Sequence, residues 1–322
     1  MRALPRIAAA LTGLAALALA AQAADDYPAR PVRIVVGFGP GATIDVTARV
    51  LAPKLGAAFN QQFVVENKTG AGSNLAADFV AHAPKDGHTL LVGTIANTIN
   101  AAMGQKLNFD FAADFAPITL TATVPNILVV HPSIGVKSVA DLITLARAKP
   151  DGLSYGSSGA GTSLHLSAEL FNVMTGARMV HVPYPGSAQA VTDLLAGRVQ
   201  VMFSPASTVL PHVREGKLVA LASTQLKRAS VAPDLPTMSE AGLAGFDTGV
   251  WTGLLAPAGT PRAVIDALAR ATNAALKSPD VIEPLQKQGI DMLGGTPEEF
   301  AAYIKSEIAK WERVTAAAGL RP

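Results

Sequence analysis

The chain alternates between short apolar runs and longer stretches in which an apolar residue recurs at every third or fourth position. The runs Val32–Val36 and Thr89–Val92 are apolar except for Arg33 and Thr89, which is typical of strands that are buried on both faces. Residues 44–58 and 74–83 have the helical spacing, and Phe63–Glu66 lies between them as a further strand. The first hundred residues therefore predict a βαβαβ unit with a parallel, doubly wound sheet.

A second set of alternating elements follows the first. It is predicted to run from the strand Ile127–Val130 to the strand Leu218–Ala222, and residues 227–247 are predicted to be irregular. A last strand is expected over Gly249–Ala256. Two such α/β units indicate two domains, with the chain crossing between them near Thr123–Asn126 and again near Thr248–Thr252. The sequence thus predicts domain 1 over 24–124 plus 249–322, domain 2 over 125–248, and a cleft between them that could close on a solute.

The C-terminal part predicts helices with marked starts. Thr260-Pro261, Ser278-Pro279 and Thr296-Pro297 each place a capping hydroxyl before a proline that suits the first helical position. A stripe of apolar residues at helical spacing follows the last of these, and we expect it to pack in the core. The stripe consists of Phe300, Ile304, Ile308 and Trp311.

Two turns between a strand and a helix are rich in glycine and serine and contain no Lys or Arg. The first is Gly37–Thr43, after Val32–Val36, and the second is Gly156–Ser163, after Leu153–Tyr155. The first turn of a helix leaves backbone N–H groups without partners at the positive end of the helix dipole, where an anion can bind. Neither turn contains a nucleophile with its base. The pattern therefore predicts a protein that holds a small anionic solute without transforming it.

Each turn also has a rival interpretation. Gly37–Ala42 contains the pattern G-x-G-x-x-A, and Glu66 ends the next strand, as in a dinucleotide site. Against this, Pro40 removes one N–H group, and nicotinamide cofactors are not expected outside the cytoplasm. Gly156–Gly161 has the spacing of a P-loop, but Thr162 stands where a phosphate-binding Lys is required, so a nucleotide site is rejected. The glycines could also serve tight turn geometry alone.

Titratable residues near the turns leave further alternatives open. Asp45 could favour the first turn of its helix, or it could hold ligand-bound water or a ligand ammonium group. His165 is expected to have a structural role; together with Ser158 or Ser163 it gives a remote alternative, a secreted serine hydrolase, although no G-x-S-x-G turn or acid accompanies them. No two His stand four residues apart and the chain has no Cys, so the sequence predicts neither a metal site nor a cofactor.

The N-terminus predicts export. Arg2 and Arg6 precede the apolar run Ile7–Ala20, and Ala21–Ala23 gives the small-x-small cleavage pattern of a signal peptide over residues 1–23. The alternative, an uncleaved membrane anchor, is disfavoured because the apolar run is short for a spanning helix. The absence of Cys excludes a lipoprotein signal and disulfides. We therefore expect a periplasmic protein that rests on a large apolar core.

The charge balance excludes one class of partner. The chain has 26 basic and 24 acidic residues, for a formal net charge of +2. Loss of Arg2 and Arg6 with the leader would leave 24 of each. Such a balance gives no indication of a nucleic acid or a membrane surface as partner.

Several segments spread over the chain after the leader have a familiar sequence. They are Tyr27–Val36, Val65–Ser73, Ala83–Leu91, Phe115–Ile118, His181–Ser187, Thr192–Gly197, Leu235–Thr237, Glu240–Gly242 and Trp251–Pro261. With them, essentially the whole chain after the leader resembles the Bug family, the periplasmic solute-binding proteins of tripartite tricarboxylate transporters. The first turn departs from the family's common Pro-Phe-Pro-Ala-Gly-Gly run, and Pro185 stands where a Lys is frequent.

The resemblance implies an α/β protein with the two-domain type II periplasmic-binding-protein fold. Each domain would be a mostly parallel sheet flanked by helices, with the ligand cleft between the domains. A ligand carboxylate would be held largely by backbone amides and ordered waters. The residues implied in ligand binding are Phe38, Gly39, Pro40, Gly41, Ala42, Thr43, Asp45, Gly72, Ser73, Thr94, Asn97, Ser157, Ser158, Gly159, Gly161, Thr162, Ser163, Tyr184, Gly186, Ser187 and Ser204.

The function that follows is capture rather than catalysis. We expect a monomeric solute-binding protein that takes up a small carboxylate-bearing metabolite and delivers it to the inner-membrane subunits of a tripartite tricarboxylate transporter. The same fold could instead present its liganded form to the sensor domain of a signalling system. A permease gene in the genetic neighbourhood would favour uptake over signalling.

Overall fold

The computed structural model describes residues 27–320, so the signal peptide predicted over residues 1–23 lies outside the described residues. Strands and helices alternate along most of this range. The strands are β1 (Val32–Val36), β2 (Phe63–Asn67), β3 (Thr89–Thr94), β4 (Phe115–Val130), β5 (Ser154–Ser157), β6 (Val180–Pro183), β7 (Val201–Pro205), β8 (Val219–Ser223), β9 (Gly249–Pro257) and β10 (Asp291–Met292). The α-helices are α1 (Thr43–Phe59), α2 (Asn74–Ala81), α3 (Ile95–Ala102), α4 (Val139–Ala148), α5 (Ser163–Thr175), α6 (Ser187–Leu195), α7 (Ala206–Arg214), α8 (Arg262–Ala275), α9 (Pro279–Gln286) and α10 (Pro297–Ala317).

One mixed sheet runs through the described chain in the order β2-β1-β3-β9-β4-β7-β5-β6, and β8 and β10 also pair with β4. Strands β2, β1 and β3 are parallel neighbours, which confirms the predicted βαβαβ unit. Strands β6, β5 and β7 form a second parallel group. The pairs that involve β4, and the pair of β3 with β9, are antiparallel.

Strand β4 is much longer than the sequence predicted. The prediction began a strand at Ile127, whereas β4 begins at Phe115 and extends over 16 residues. Its first part contains Pro117 and Pro125, which cannot donate to a ladder and made this stretch look like a loop. The register shifts near Pro117 accommodate that irregularity at the pairing with β9.

Strand β4 also changes partners along its length. It pairs with β9 as far as Pro125 and with β7 from Asn126 onwards. We call β1–β3, β9, β10 and the first part of β4 the first half-sheet, and β5–β8 with the rest of β4 the second half-sheet. The change of partner falls where the sequence placed a domain crossing; the division at residues 124 and 248 stays a prediction.

Only one of the three predicted caps in the C-terminal part forms as expected. The Thr296 hydroxyl accepts the Glu299 N–H at 3.1 Å, and the Glu299 carboxylate accepts the Thr296 N–H in return. Ser278 does take the N-cap position before Pro279, the first residue of α9, but its hydroxyl caps no N–H group. The prediction for Thr260 is wrong, because Pro261 stands at the N-cap position. Both hydroxyls donate to carbonyls of the preceding turn. Thr260 donates to the Pro257 oxygen, and Ser278 to the Ala275 oxygen. Helix α8 accordingly begins at Arg262 without a side-chain cap.

Helix α10 connects the two half-sheets from behind. It packs against α3 of the first and α5 of the second. The predicted stripe on α10 is confirmed as core, since Phe300, Ile304 and Trp311 are buried and Ile308 is partly buried. The first residues of α3 and α5, Ile95 and Ser163, line one cavity, described below. No helix within residues 27–320 combines the length and the apolar character that crossing a bilayer requires.

Candidate functional site

A cavity of about 540 Å³ lies where the turn after β1, the β3–α3 junction and the turn after β5 meet. Both half-sheets therefore contribute to it. None of its lining residues, all of them within the described part of the chain, has an ionisable side chain. The lining residues are Phe38, Ala42, Thr43, Ile44, Ala71, Gly72, Thr94, Ile95, Ala96, Ile99, Asn100, Met103, Gln105, Ser158, Ala160, Gly161, Thr162, Ser163 and Val250.

The structure brings many of the predicted ligand-binding residues together at this cavity, although their contact with a ligand stays a prediction. Those that line it are Phe38, Ala42, Thr43, Gly72, Thr94, Ser158, Gly161, Thr162 and Ser163. Those in the same segments that do not line it are Gly39, Pro40, Gly41, Asp45, Ser73, Asn97, Ser157 and Gly159. Tyr184, Gly186, Ser187 and Ser204 do not line it either.

The first loop, Phe38–Asp45, is held in place from behind by Asp45. The Asp45 carboxylate accepts the N–H of Gly41 at 2.9 Å, the Nε–H of Arg49 at 3.0 Å and the side-chain amide of Asn67 at 2.8 Å. Asn67, which ends β2, also donates to the Phe38 carbonyl at 2.8 Å. These bonds tie the loop both to its own helix and to the neighbouring strand.

Asp45 serves the loop rather than the cavity. Asp45 is 1 % exposed and does not line the cavity. Burial alone would raise the pKa of its carboxyl, but the hydrogen bonds from Arg49, Asn67 and the Gly41 N–H hold that pKa below its ordinary value. Of the two roles that the sequence left open, the geometry supports the bracing of the loop and the first helical turn.

The second loop, Ser157–Ser163, is braced by side chains of its own. Gly159 donates its N–H to the Ser157 hydroxyl at 3.1 Å, and its carbonyl accepts the Thr162 hydroxyl at 2.7 Å. Gly161 donates its N–H to Nδ1 of His165 at 3.0 Å. The N–H groups of Gly159 and Gly161, like that of Gly41, are therefore already paired. The expectation that these turns offer unpaired amides throughout needs correction at these glycines.

A stack of rings lies behind the second loop. The His165 and His181 rings are 3.9 Å apart between centroids, and Tyr155 stacks on His181 at 5.0 Å. Because Nδ1 of His165 accepts the Gly161 N–H, its imidazole must be neutral there. Burial, together with the charge that His181 would carry, lowers the pKa of His165 to about 4. The loop is thus held by an uncharged imidazole.

The serine–histidine pair that the structure forms is not the one considered from the sequence. Ser157 Oγ lies 2.7 Å from Nε2 of His181, whereas His165 is occupied by the Gly161 N–H. Ser157 is fully buried, and its hydroxyl also accepts the Gly159 N–H. The Ser157–His181 contact and the Gly161–His165 hydrogen bond therefore both brace the loop. Among residues 27–320, no group of three or more His, Asp or Glu could hold a metal ion.

The first turns of three helices line the cavity. Helices α1, α3 and α5 begin at Thr43, Ile95 and Ser163, and all three residues line the cavity. The N–H groups of a first helical turn have no carbonyl partner within the helix. The backbone thus directs several donors, and the positive ends of three helix dipoles, into a space without ionisable side chains.

Sequence reasoning missed helix α3, and with it one wall of the cavity. Its lining residues that were not predicted include Ile99, Asn100 and Met103. A signal was present: Asn97 stands three residues after Thr94 and accepts the Thr94 N–H at 3.1 Å, and Ile95 and Ile99 have helical spacing. The helix is only eight residues long and follows its strand directly, so no turn separates the two patterns.

Comparison with protein families gives one match over most of the chain. The family model described as the tripartite tricarboxylate transporter family receptor, TctC, matches residues 47–320. Among curated proteins, the UPF0065 protein in the tcbD-tcbE intergenic region of Pseudomonas sp. strain P51 is 38% identical over 91% of this chain and 88% of its own length. Protein BugT of Bordetella pertussis is 35% identical and covers 92% of each chain. The resemblance to the Bug family is confirmed.

Solved structures match over a similar range. The structure of Rpa4515 from R. palustris with adipate has a TM-score of 0.75 and 39% sequence identity, and covers 91% of this chain and 99% of its own. The structure of MatC from Rhodopseudomonas palustris with bound malate has a TM-score of 0.71 and 34% identity, and covers 89% and 99%. These similarities confirm the predicted α/β fold class.

Proposed function

The chain belongs to the tripartite tricarboxylate transporter receptor family, and from that premise we propose that it captures a small carboxylate in the cavity between its half-sheets. Relatives described with adipate and with malate support a carboxylate as the ligand class. The family is one of receptors, and near the site the Ser157–His181 contact and the hydrogen bond from the Gly161 N–H to His165 brace a loop. The protein binds its solute and releases it unchanged.

One observation carries this proposal: helices α1, α3 and α5 direct their first turns into a cavity without ionisable side chains. A carboxylate placed there accepts hydrogen bonds from first-turn amides such as those of Thr43 and Ser163. Hydrogen bonds to a charged group are each worth about 1.5–3 kcal/mol, so a few of them hold the anion without a cationic side chain. The absence of a fixed positive charge also makes release easier.

The apolar wall gives the remainder of the affinity. Phe38, Ile99, Met103 and Val250 line the cavity and can cover the carbon skeleton of a metabolite. Burial of apolar surface contributes about 25 cal/mol per Å². The site therefore suits an organic acid better than a small inorganic anion.

The place of action follows from the family and from the N-terminal pattern. A receptor of this family passes its solute to the membrane subunits of a tripartite transporter, and the residues before Ala24 have the pattern of an export signal. We place the protein in the periplasm as a monomer that works by closing its two domains on the ligand.

Isothermal titration calorimetry on the protein without its leader tests the proposal. The titrants are adipate, malate and the uncharged diamide of adipic acid. We expect at least one carboxylate to bind saturably and the diamide to bind at least about tenfold more weakly, because an uncharged end loses charge-assisted hydrogen bonds. Correctly folded protein that binds a panel of organic acids no better than their amides would overturn it.

A further inference from the structure

One end of the cavity is formed by side-chain amides rather than by backbone amides. Asn100 and Gln105, at and just beyond the C-terminal end of α3, line the cavity there. Behind them lies Asn74, which is 5 % exposed and does not line the cavity. The three side chains form a chain of hydrogen bonds.

The Gly72 carbonyl fixes the direction of this chain, since a carbonyl can only accept. Asn100 donates one N–H to the Gly72 oxygen at 3.2 Å, and so its amide nitrogen faces Gly72. The second N–H of Asn100 goes to Oδ1 of Asn74 at 3.1 Å. The Asn74 amide nitrogen then donates to Oε1 of Gln105 at 3.3 Å. Each amide in the chain is oriented by the one before it.

Two groups are left over for a ligand. Both hydrogens of the Asn100 amide are used, so Asn100 can offer the cavity only its Oδ1, an acceptor. Gln105 has used Oε1 and offers Nε2, a donor. A group that donates to one and accepts from the other, a carboxamide or a hydroxyl, satisfies both. A carboxylate cannot donate, and it would meet the Asn100 oxygen without a proton between them.

The backbone polarises the cavity in the same sense. Helix α3 runs along it, with Ile95 at its N-terminal end and Asn100 in its last turn, and its eight residues span about 12 Å. The N-terminal end of a helix favours negative charge and the C-terminal end disfavours it. The two ends of one ligand therefore meet opposite environments.

We propose that Asn100 and Gln105 select a ligand that has a carboxylate at one end and a neutral carboxamide or hydroxyl at the other, in preference to a dicarboxylate. This inference rests on the proposed function, which supplies the site for the first carboxylate. It assigns to this chain a preference for acids with one neutral polar end over simple diacids.

Calorimetry with four six-carbon acids tests the preference. They are adipate, its monoamide, 6-hydroxyhexanoate and hexanoate, so that only the far group changes. We expect the monoamide and the hydroxy acid to bind at least about tenfold more tightly than hexanoate and than adipate, because hexanoate forms neither hydrogen bond and the second carboxylate of adipate cannot donate to the Asn100 oxygen. Adipate binding as tightly as the monoamide would overturn the inference.

Gln105→Leu is the first variant, and its exposed position leaves the core untouched. It removes the donor, so the advantage of the monoamide over hexanoate should fall about tenfold. Lys106→Gln is the matched control, since Lys106 is the next residue and does not line the cavity. In this control, the ratio of the affinity for the monoamide to that for hexanoate should equal the ratio in the native protein. Loss of the preference in Lys106→Gln but not in Gln105→Leu would contradict the inference.

Asn74→Asp is the second variant and reverses the chain of amides. The new carboxylate can only accept, so Gln105 must turn Nε2 towards it and offer Oε1 to the cavity. Asn74 is the first residue of α2, a position where an acid is favourable. We expect 6-aminohexanoate to gain at least about tenfold relative to the monoamide. An unchanged ratio in a folded variant would overturn the proposed orientation.

The experiment separates the two proposals. If adipate binds as tightly as the neutral-ended acids, the inference fails and the capture of carboxylates stands. If none of the four acids binds to folded protein while other classes of solute do, the proposed function fails, and the inference fails with it.

Discussion

The two loops that form the opposite sides of the cavity are built on the same plan. In each, a glycine in the left-handed region precedes the helix, Gly41 at φ 83° and Gly161 at φ 75°. In each, the N–H of that glycine is accepted by the side chain four residues later, Asp45 in one loop and His165 in the other. The pattern G-x-x-x-acceptor thus pins the entry to both helices.

The two acceptors differ in charge. Asp45 is an anion that Arg49 and Asn67 hold to the first half-sheet. His165 is a neutral ring in a stack with His181 and Tyr155. The first loop therefore depends on an ion pair behind it, and the second depends on an imidazole that stays unprotonated. The same local geometry should respond differently to mutation and to pH.

Among the substitutions that test this comparison, Asp45→Ala should cause the largest loss of stability. The substitution leaves the N–H of Gly41, the Asn67 amide and one side of Arg49 without their common acceptor. Loss of one partner from a buried charge pair costs about 3–5 kcal/mol, and because Arg49 is half exposed we expect about 3 kcal/mol. Urea unfolding at pH 7 measures this loss in the free energy of unfolding.

Asp266→Ala is the matched control. Asp266 forms an ion pair with Arg262 at the same i,i+4 spacing, but on the surface of α8. An exposed pair contributes at most about 1 kcal/mol, so this variant should be nearly as stable as the native protein. Equal losses in the two variants would show that Asp45 does not brace the first loop.

Acid should act first on the second loop. The pKa of His165 is about 4 in the folded protein and 6.5 ordinarily, so the folded state binds fewer protons. The corresponding stability is complete above pH 6.5 and is lost as the pH falls from 6.5 towards 4. Asp45, with its pKa lowered from 3.8, loses its contribution only below that value. We expect a loss of about 2 kcal/mol between pH 7 and pH 5 from His165.

His165→Phe sharpens the comparison, since phenylalanine keeps the stack and removes the titrating nitrogen. Burial also lowers the pKa of His181, which acts in the same range and is unchanged in the variant. The loss of stability between pH 7 and pH 5, followed by urea unfolding, should therefore be smaller by about 2 kcal/mol but not absent. An identical loss in the variant and the native protein would refute the role of His165.

The fold was largely predictable because its helices and strands have distinct hydrophobic periods. The βαβαβ unit and the stripe with Phe300 and Trp311 needed only local pattern. The first part of β4 was not predictable, because its prolines and threonines gain their strand conformation from β9, which follows more than a hundred residues later. Nonlocal pairing of this kind leaves no periodic signal.

For the site, sequence reasoning located both loops but not how they are held. Their glycines and serines mark the turns directly. The acceptors of the Gly41 and Gly161 N–H groups depend on which side chain of the following helix turns back towards the loop. The wall formed by Ile99, Asn100 and Gln105 depends on a short helix that follows its strand without a turn. Tertiary placement decides these features, and local pattern does not.

The most direct test of the central claim removes single backbone donors, with Thr43→Ala and Ser163→Ala as references for the side-chain hydroxyl that each substitution also removes. Thr43→Pro and Ser163→Pro each delete one N–H at the first position of a helix, where proline fits. The preceding residues, Ala42 and Thr162, are already extended, as proline requires. Val139→Pro, at the first position of α4 and away from the cavity, is the control.

The measurement is the calorimetric affinity of these variants for whichever of adipate and 6-hydroxyhexanoate the native protein binds more tightly. A lost hydrogen bond to a carboxylate should weaken binding at least about tenfold in each proline variant relative to its alanine variant, with the melting temperature nearly unchanged and the Val139→Pro control unaffected. If both proline variants bind as their alanine variants do, first-turn amides do not hold the ligand, and the account of this site is wrong.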